Sequence, residues 1–132
     1  MRKIVYFILL AALALTVAAC GGGDSDDAGG ADVAAGKKLF TSQIIGTQPG
    51  CITCHSLTPD EVIVGPSMAG IASRAGSRVP GLSAEEYIRQ SILEPDAYLV
   101  ETFPAGTMPQ VWGQELSDDQ VNQIVAYLMT LK

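Results

Sequence analysis

The chain lacks the residues on which several common kinds of site depend. Its 132 residues include one histidine and three cysteines, with eight basic side chains against fourteen acidic ones. So few ligands leave no second pair for a structural zinc site. The net charge of −6 and the absence of a basic stripe argue against nucleic-acid binding. No repeat and no convincing strand pattern is present, which favours a helical chain.

The most specific motif is Cys51-Ile52-Thr53-Cys54-His55. The pattern C-x-x-C-H predicts covalent attachment of a c-type haem. Each thiol, Cys51 and Cys54, can add to one vinyl group on the same porphyrin edge, and His55 can then bind the iron from one face. The motif occurs once, which predicts a single haem and argues against a di-haem peroxidase. The alternatives are a thioredoxin-like redox or disulfide pair, although no β-branched run precedes Cys51, and a zinc half-site.

The N-terminus resembles an export signal. Arg2 and Lys3 precede an apolar run, Ile4 to Val17, which has the length of a signal h-region and is short for a membrane span. Small residues then lead into Cys20, as in bacterial lipoprotein signals, in which the cysteine is lipidated and becomes the mature N-terminus. We therefore expect a lipoprotein-type signal peptide over residues 1–19. The alternative is an ordinary signal peptide cut nearby, with Cys20 incidental.

Residues 20–31 are rich in glycine and aspartate and predict a flexible tether between the lipidated cysteine and a haem domain at residues 32–132. Lasting anchorage needs two or more acyl chains, which a lipidated cysteine carries. We expect an exported protein that is held at the membrane by Cys20 and faces the periplasm or extracytoplasmic side. Bacterial haem attachment also occurs outside the cytoplasmic membrane, so the two signals agree.

Caps and periodicity predict four helices. Asp32 is expected to cap the first, at Val33 to Ser42, and a short one is expected at Ser67 to Arg74. Capping boxes at Ser83–Glu86 and Ser117–Gln120 predict the starts of the third and fourth helices. The third helix is expected to end near Glu94 because Pro95 follows. Loops are expected at Thr58 to Pro66 and at Asp96 to Gly113.

The second axial ligand is predicted to be Met108. Long loops are usually functional, and this methionine lies in the loop from Asp96 to Gly113, among prolines and glycines. A thioether is a soft ligand that suits haem iron and raises its reduction potential. Met129 lies beside an apolar helix stripe and is expected to pack. Met68 follows His55 closely and could line the pocket. A five-coordinate iron with Met108 as an ordinary loop residue is the remaining alternative.

The order helix, C-x-x-C-H, Gly65-Pro66, helix, Met108-Pro109, helix resembles the class I cytochrome c family over roughly Asp32 to Lys132. The resemblance implies an all-α, cytochrome c-like fold with four to five helices around one covalently attached haem. It also implies that the Pro66 carbonyl accepts a hydrogen bond from His55 Nδ1. The first and last helices would cross, with Gly36 and Phe40 near Tyr127.

Four further residues are candidates for the haem pocket. Trp112 and Tyr98 flank the Met108 loop and could pack on the porphyrin or bond a propionate. Arg74 and Arg78 could pair with propionates. Ordinary packing, or a solvated surface position, is an equal alternative for all four.

These features predict one-electron transfer rather than enzymatic catalysis, because an iron held on both faces leaves no position for a substrate. The first expectation is a lipid-tethered carrier that serves redox partner proteins of a respiratory or photosynthetic electron-transport chain. The second is a fixed haem subunit of a larger complex, because Phe103 to Gln110 looks like cytochrome domains of terminal oxidases and of alternative complex III. A gas or redox sensor is the third. No nucleic-acid partner is expected.

Overall fold

The computed structural model describes residues 25–132, with side chains from Asp32 onward. Its regular structure is five α-helices and one short hairpin, which confirms the all-α expectation. The helices are α1 (Ser25–Phe40), α2 (Ile71–Ala75), α3 (Ala84–Leu93), α4 (Trp112–Glu115) and α5 (Asp118–Leu128). The antiparallel strands are β1 (Ile44–Ile45) and β2 (Gln48–Pro49), and a 3-10 turn follows at Cys51–Thr53.

Helix α1 differs from its predicted bounds. It begins at Ser25 rather than Val33, so Asp32 lies inside the helix instead of capping it, and residues 25–31 of the expected tether are helical. Extending a helix is far easier than nucleating one, and α1 is held in place by its packing on α5. It ends at Phe40, before the predicted Ser42. The hydroxyls of Thr41 and Ser42 bond the carbonyls of the last turn and so satisfy groups that the helix leaves unpaired.

Both predicted capping boxes are confirmed. Ser83 caps α3, where its hydroxyl accepts from the Glu86 amide and the Glu86 carboxylate accepts from the Ser83 amide. Ser117 and Gln120 form the same pair of bonds at the start of α5. Glu94 ends α3 immediately before Pro95, as predicted.

The core is built where α1 crosses α5. At Gly36 the backbones approach so closely that a Cβ atom would lie 1.8 Å from the Gln123 carbonyl oxygen. One turn later the rings of Phe40 and Tyr127 pack with their centroids 5.7 Å apart. The expected crossing of the first and last helices is therefore present. The largest fully buried side chains are those of Phe40, Val121, Ile124 and Val125.

The segments between the helices depart from prediction in three places. The hairpin at residues 44–49 was not expected, because two-residue strands are too short to show an alternating pattern. Helix α2 begins at Ile71 rather than Ser67, whose hydroxyl instead bonds the Thr58 carbonyl and the Ala69 amide. The Met108 loop ends at Val111, because α4 starts within the predicted loop at Trp112.

Among residues 25–132, no helix combines the length and the hydropathy needed to cross a bilayer. The predicted signal peptide (residues 1–19), the lipidation site at Cys20 and the first residues of the tether lie outside the described residues. They stay predictions.

Candidate functional site

One cavity brings together the residues that we predicted for the haem site. Cys51, Cys54, His55 and Met108 line it. So do Pro66 and the four further pocket candidates Arg74, Arg78, Tyr98 and Trp112. Much of the remaining wall is apolar and comes from α1, α2, α3 and α5: Phe40, Ile71, Ile88, Ile92, Ile124 and Leu128. The helices therefore enclose an apolar cleft, and the C-x-x-C-H motif and the Met108 loop form part of its wall.

The hairpin and the 3-10 turn position the C-x-x-C-H motif in the wall of this cavity. Gly50 follows β2 and packs so closely on the chain that a Cβ would lie 1.9 Å from the Ser42 carbonyl oxygen. The amides of Cys54 and His55 then bond the Cys51 carbonyl at 3.1 and 2.9 Å, which closes the turn. Consequently both thiols and the imidazole lie within five consecutive residues on the cavity wall.

The two cysteines of the motif are partly buried thiols in the cavity wall. Cys51 and Cys54 are free thiols. Burial raises the pKa of Cys51 to about 11, whereas reactive thioredoxin-like cysteines have a lowered pKa. Within the part of the chain that the structure describes, no group of three or more metal-binding side chains forms a zinc-type site.

His55 is oriented by its Nδ1 atom, which donates a 2.8 Å hydrogen bond to the Pro66 carbonyl oxygen. This is the contact that the family resemblance implied. It leaves Nε2 as the nitrogen that can bind a metal. Burial lowers the pKa of His55, although the Pro66 bond opposes the shift. A lowered pKa favours the neutral imidazole, which is the form that ligates iron.

A hydrogen-bond network that we did not predict stabilises the segment that follows His55. The hydroxyl of buried Ser56 accepts from the Thr58 amide at 2.8 Å and donates to the Glu61 carboxylate. The Ser56 carbonyl accepts from the Met68 amide at 2.8 Å. A serine whose hydroxyl bonds the amide two residues later forms a recognisable turn, so Ser56-Leu57-Thr58 carried a weak signal. These bonds tie Met68 to the chain that carries His55.

Two of the three methionines in the described residues line the cavity, Met68 and Met108. Met129 packs against the core instead. The Met108 loop is held by Asp96, whose carboxylate accepts from the Gly106 amide at 3.0 and 3.1 Å. Gly106 has φ of 74°, which suits glycine at that turn. Met108 therefore belongs to an irregular but fastened loop, while Met68 belongs to the His55 segment.

Arg74 and Tyr98 have partners within the protein. The Arg74 guanidinium donates to the carbonyls of Ser67 and Ala69 and so holds the turn that follows Pro66. Sequence reasoning had offered propionates as its partners and missed these carbonyls. Tyr98 packs edge-on against Tyr87 with ring centroids 5.6 Å apart. Both residues line the cavity, and both also stabilise its wall.

Trp112 provides the observation that tests whether a haem fits. The residue is 4 % exposed, and its Nε1–H has no hydrogen-bond partner among the described residues. Buried donors without partners are rare in native proteins and call for an explanation. Trp112 lines the cavity beside the motif, so a bound group with an acceptor at its edge would satisfy this donor. A haem has such acceptors in its propionates, and the residues present fit it.

Comparison with known proteins agrees with this geometry. A sequence model of the cytochrome c family matches residues 33–132, which is most of the chain. No curated protein and no solved structure matches the chain.

Proposed function

Because the chain belongs to the cytochrome c family, whose members bind haem covalently and carry electrons, we propose that it is a membrane-tethered mono-haem carrier with His55 and Met108 as axial ligands. The haem supplies one-electron iron chemistry when it is bound. The observation that carries the proposal is the single cavity that Cys51, Cys54, His55 and Met108 all line. Every ligand that the chemistry needs is available there.

The protein's own residues have separate tasks in this proposal. Cys51 and Cys54 provide the two thioether bonds, and they replace dissociable binding with permanent attachment. His55 presents Nε2 because Nδ1 is committed to Pro66. The apolar wall excludes water, and together with a sulfur ligand this favours a high reduction potential. Trp112 offers its unpaired N–H to a propionate.

Met108 is preferred to Met68 because the two residues belong to different segments. The Met68 amide donates to the Ser56 carbonyl, directly after His55, so the Met68 backbone is fastened to the segment that carries the imidazole. A ligand for the opposite face of the ring must come from elsewhere in the cavity wall. Met108 is the other methionine that lines it.

Substitution of each methionine tests the ligand assignment and the electron-carrier function together. Met108→Ala should lose the weak long-wavelength band of sulfur–iron(III) ligation, lower the midpoint potential and let carbon monoxide bind the ferrous iron. Met68→Ala and Met129→Ala are the matched controls and should keep the band. Loss of the band in Met68→Ala would contradict the assignment. Ready carbon monoxide binding to the wild type at neutral pH would favour the gas sensor.

Membrane attachment through Cys20 is the second part of the proposal. It is supported by the apolar run that ends at this cysteine and by the glycine-rich residues that follow it. Mass spectrometry of the N-terminal peptide should show acyl chains on Cys20 and no residues before it. Cys20→Ala should lack the acyl mass. An unmodified Cys20 in a haem-loaded protein would contradict lipidation without affecting the electron-carrier proposal.

We propose a mobile carrier rather than a fixed subunit of a terminal oxidase or of alternative complex III, on an exported membrane face. The glycine-rich residues after Cys20 support this choice, because such a composition is typical of flexible linkers. After solubilisation in mild detergent, the haem protein should therefore purify alone. Stoichiometric co-purification with a respiratory complex would instead support the subunit.

A further inference from the structure

An exposed apolar patch lies in the loop that follows the haem motif. All seven residues from Thr58 to Val64 are exposed, and the last three are Val62, Ile63 and Val64. Val62 is 61 % exposed and Ile63 is 51 % exposed. Neither residue lines the cavity, so a haem bound there would not cover them. Adjacent exposed aliphatic side chains of this kind mark surfaces that other molecules cover.

Backbone contacts place this patch at the edge of the haem site. Val62 forms an isolated antiparallel bridge with His55. The amides of Val64 and Gly65 both bond the Cys54 carbonyl, at 3.2 and 2.9 Å. Val64 also lines the cavity, and so does Leu99 from the Met108 loop. The patch formed by Val62 and Ile63 is therefore continuous with the rim of the cavity.

The exposed charged residues next to the patch and in the Met108 loop are all acidic. Between Lys38 and Arg74 the charged side chains are Asp60 and Glu61, which directly precede the patch and are exposed. From Gln90 to Leu131 the chain has no lysine or arginine, and the exposed acidic residues Glu94, Asp96 and Glu101 accompany the Met108 loop. Arg74 and Arg78 line the cavity itself and are half-buried. The patch thus directly follows two exposed carboxylates in the chain, and the exposed charges of the Met108 loop, which also lines the cavity, are carboxylates as well.

We propose that Val62 and Ile63, with the preceding carboxylate of Asp60 and the exposed carboxylate of Glu101 in the Met108 loop, form the docking surface for a redox partner protein whose own surface is apolar and ringed by lysine or arginine. The proposal rests on the proposed electron-carrier function. Apolar contact brings the partner's cofactor to the edge of the haem site, and opposite charges steer the encounter. A second copy of this chain would oppose carboxylate to carboxylate, and an anionic membrane would repel the same groups, so neither is the proposed occupant.

Electron exchange with two soluble probes tests the surface. The full chain with its haem, in detergent, is reduced with ascorbate and mixed by stopped flow with a basic cytochrome c or with an acidic one. We expect faster exchange with the basic probe and a rate that falls as salt is added. Val62→Ser/Ile63→Ser should slow this exchange about tenfold or more, since burial of half of two aliphatic side chains is worth at least that factor. Val62→Ile/Ile63→Leu, which keeps the surface apolar, should retain the wild-type rate.

A second pair of substitutions, Asp60→Asn/Glu101→Gln, tests the charges and should weaken the dependence of the exchange rate on salt. Glu85→Gln on α3 is the control. Wild-type rates in the serine variant, or preference for the acidic probe, would overturn the proposal. So would a serine variant that changes the mass of the protein in solution or its binding to anionic vesicles. Reduction by ascorbate and the midpoint potential should be equal in the wild type, the serine variant and the Val62→Ile/Ile63→Leu variant. Failure of ascorbate to reduce the wild-type haem would instead count against the electron-carrier function.

Discussion

Gly65 lies against the ring of His55, with no room between them for a side chain. A Cβ atom on Gly65 would be 2.5 Å from His55 Cε1 and 2.9 Å from Nδ1. The same ring nitrogen donates to the carbonyl of Pro66, the next residue. The glycine thus permits the close approach, and the proline carbonyl fixes the ring.

We therefore expect Gly65→Ala to disturb the iron ligand rather than the fold as a whole. A displaced imidazole loses the Pro66 bond and becomes a weaker base, which destabilises the ferric state. The midpoint potential should rise by roughly 20–60 mV, the electrochemical equivalent of one hydrogen bond. Gly113→Ala is the matched control, because its nearest neighbour would be Leu93 Cδ2 at 3.8 Å. Equal potentials in the two variants would show that the contact does not orient His55.

Trp112→Phe should change the free energy of unfolding of the holoprotein. Whether stability falls or rises depends on whether the indole N–H bonds a haem propionate. If the indole N–H bonds a propionate, its removal should lower the free energy of unfolding of the holoprotein by roughly 2 kcal/mol, as for a hydrogen bond to a charged group. If the N–H has no acceptor, its removal deletes a buried unpaired donor and should be neutral or stabilising. Denaturant unfolding of the haem-loaded protein measures the sign. Increased stability would contradict the propionate contact.

Local signals in the sequence were sufficient for much of the fold and the site. The capping boxes at Ser83 and Ser117 depend only on residues three positions apart, so they could be identified without tertiary information. The C-x-x-C-H motif is equally local. Met108 could be placed in a loop because prolines and glycines surround it, and the structure puts it on the cavity wall.

The features that were missed depend on distant partners. Asp32 looks like a helix cap in isolation, but α1 continues through it to Ser25. The carbonyl partners of Arg74 belong to a turn whose path is set by tertiary packing, so a charged ligand was the more obvious expectation. The hairpin at residues 44–49 is held by Glu115, which is 68 positions away from Thr47. No pattern within a short window contains such information.

Gly36→Ala tests the helix crossing that closes the core. The added methyl group would lie 1.8 Å from the Gln123 carbonyl oxygen. Because this contact is between the backbones of α1 and α5, no side chain can move aside to relieve it. We expect a loss of roughly 3 kcal/mol in the free energy of unfolding, at the upper end for overpacking. Ala34→Gly on the exposed side of α1 is the control for helix propensity and should cost about 0.5–1 kcal/mol. A Gly36→Ala protein as stable as this control would contradict the tight crossing.

The contact between Glu115 and the hairpin should make stability depend on pH. The Glu115 carboxylate accepts from the Thr47 hydroxyl at 2.6 Å and from the Thr47 amide at 3.2 Å. Both bonds lower the pKa of Glu115 below its ordinary value of 4.5, and the bond from the Thr47 hydroxyl has the larger effect. A carboxyl with a lowered folded-state pKa contributes stability above its unfolded pKa and loses it as the pH falls through the folded value.

Wild type should therefore be more stable than Glu115→Gln at neutral pH, and the difference should shrink as the pH falls below 4.5. Thr47→Val removes the hydroxyl from the same contact and is the partner variant. Because both substitutions break one interaction, the double variant should lose less stability than the two single variants combined. Urea unfolding of the holoprotein at several pH values measures these differences. A Glu115→Gln difference that stays constant down to acid pH would mean that this carboxylate does not hold the hairpin against α4.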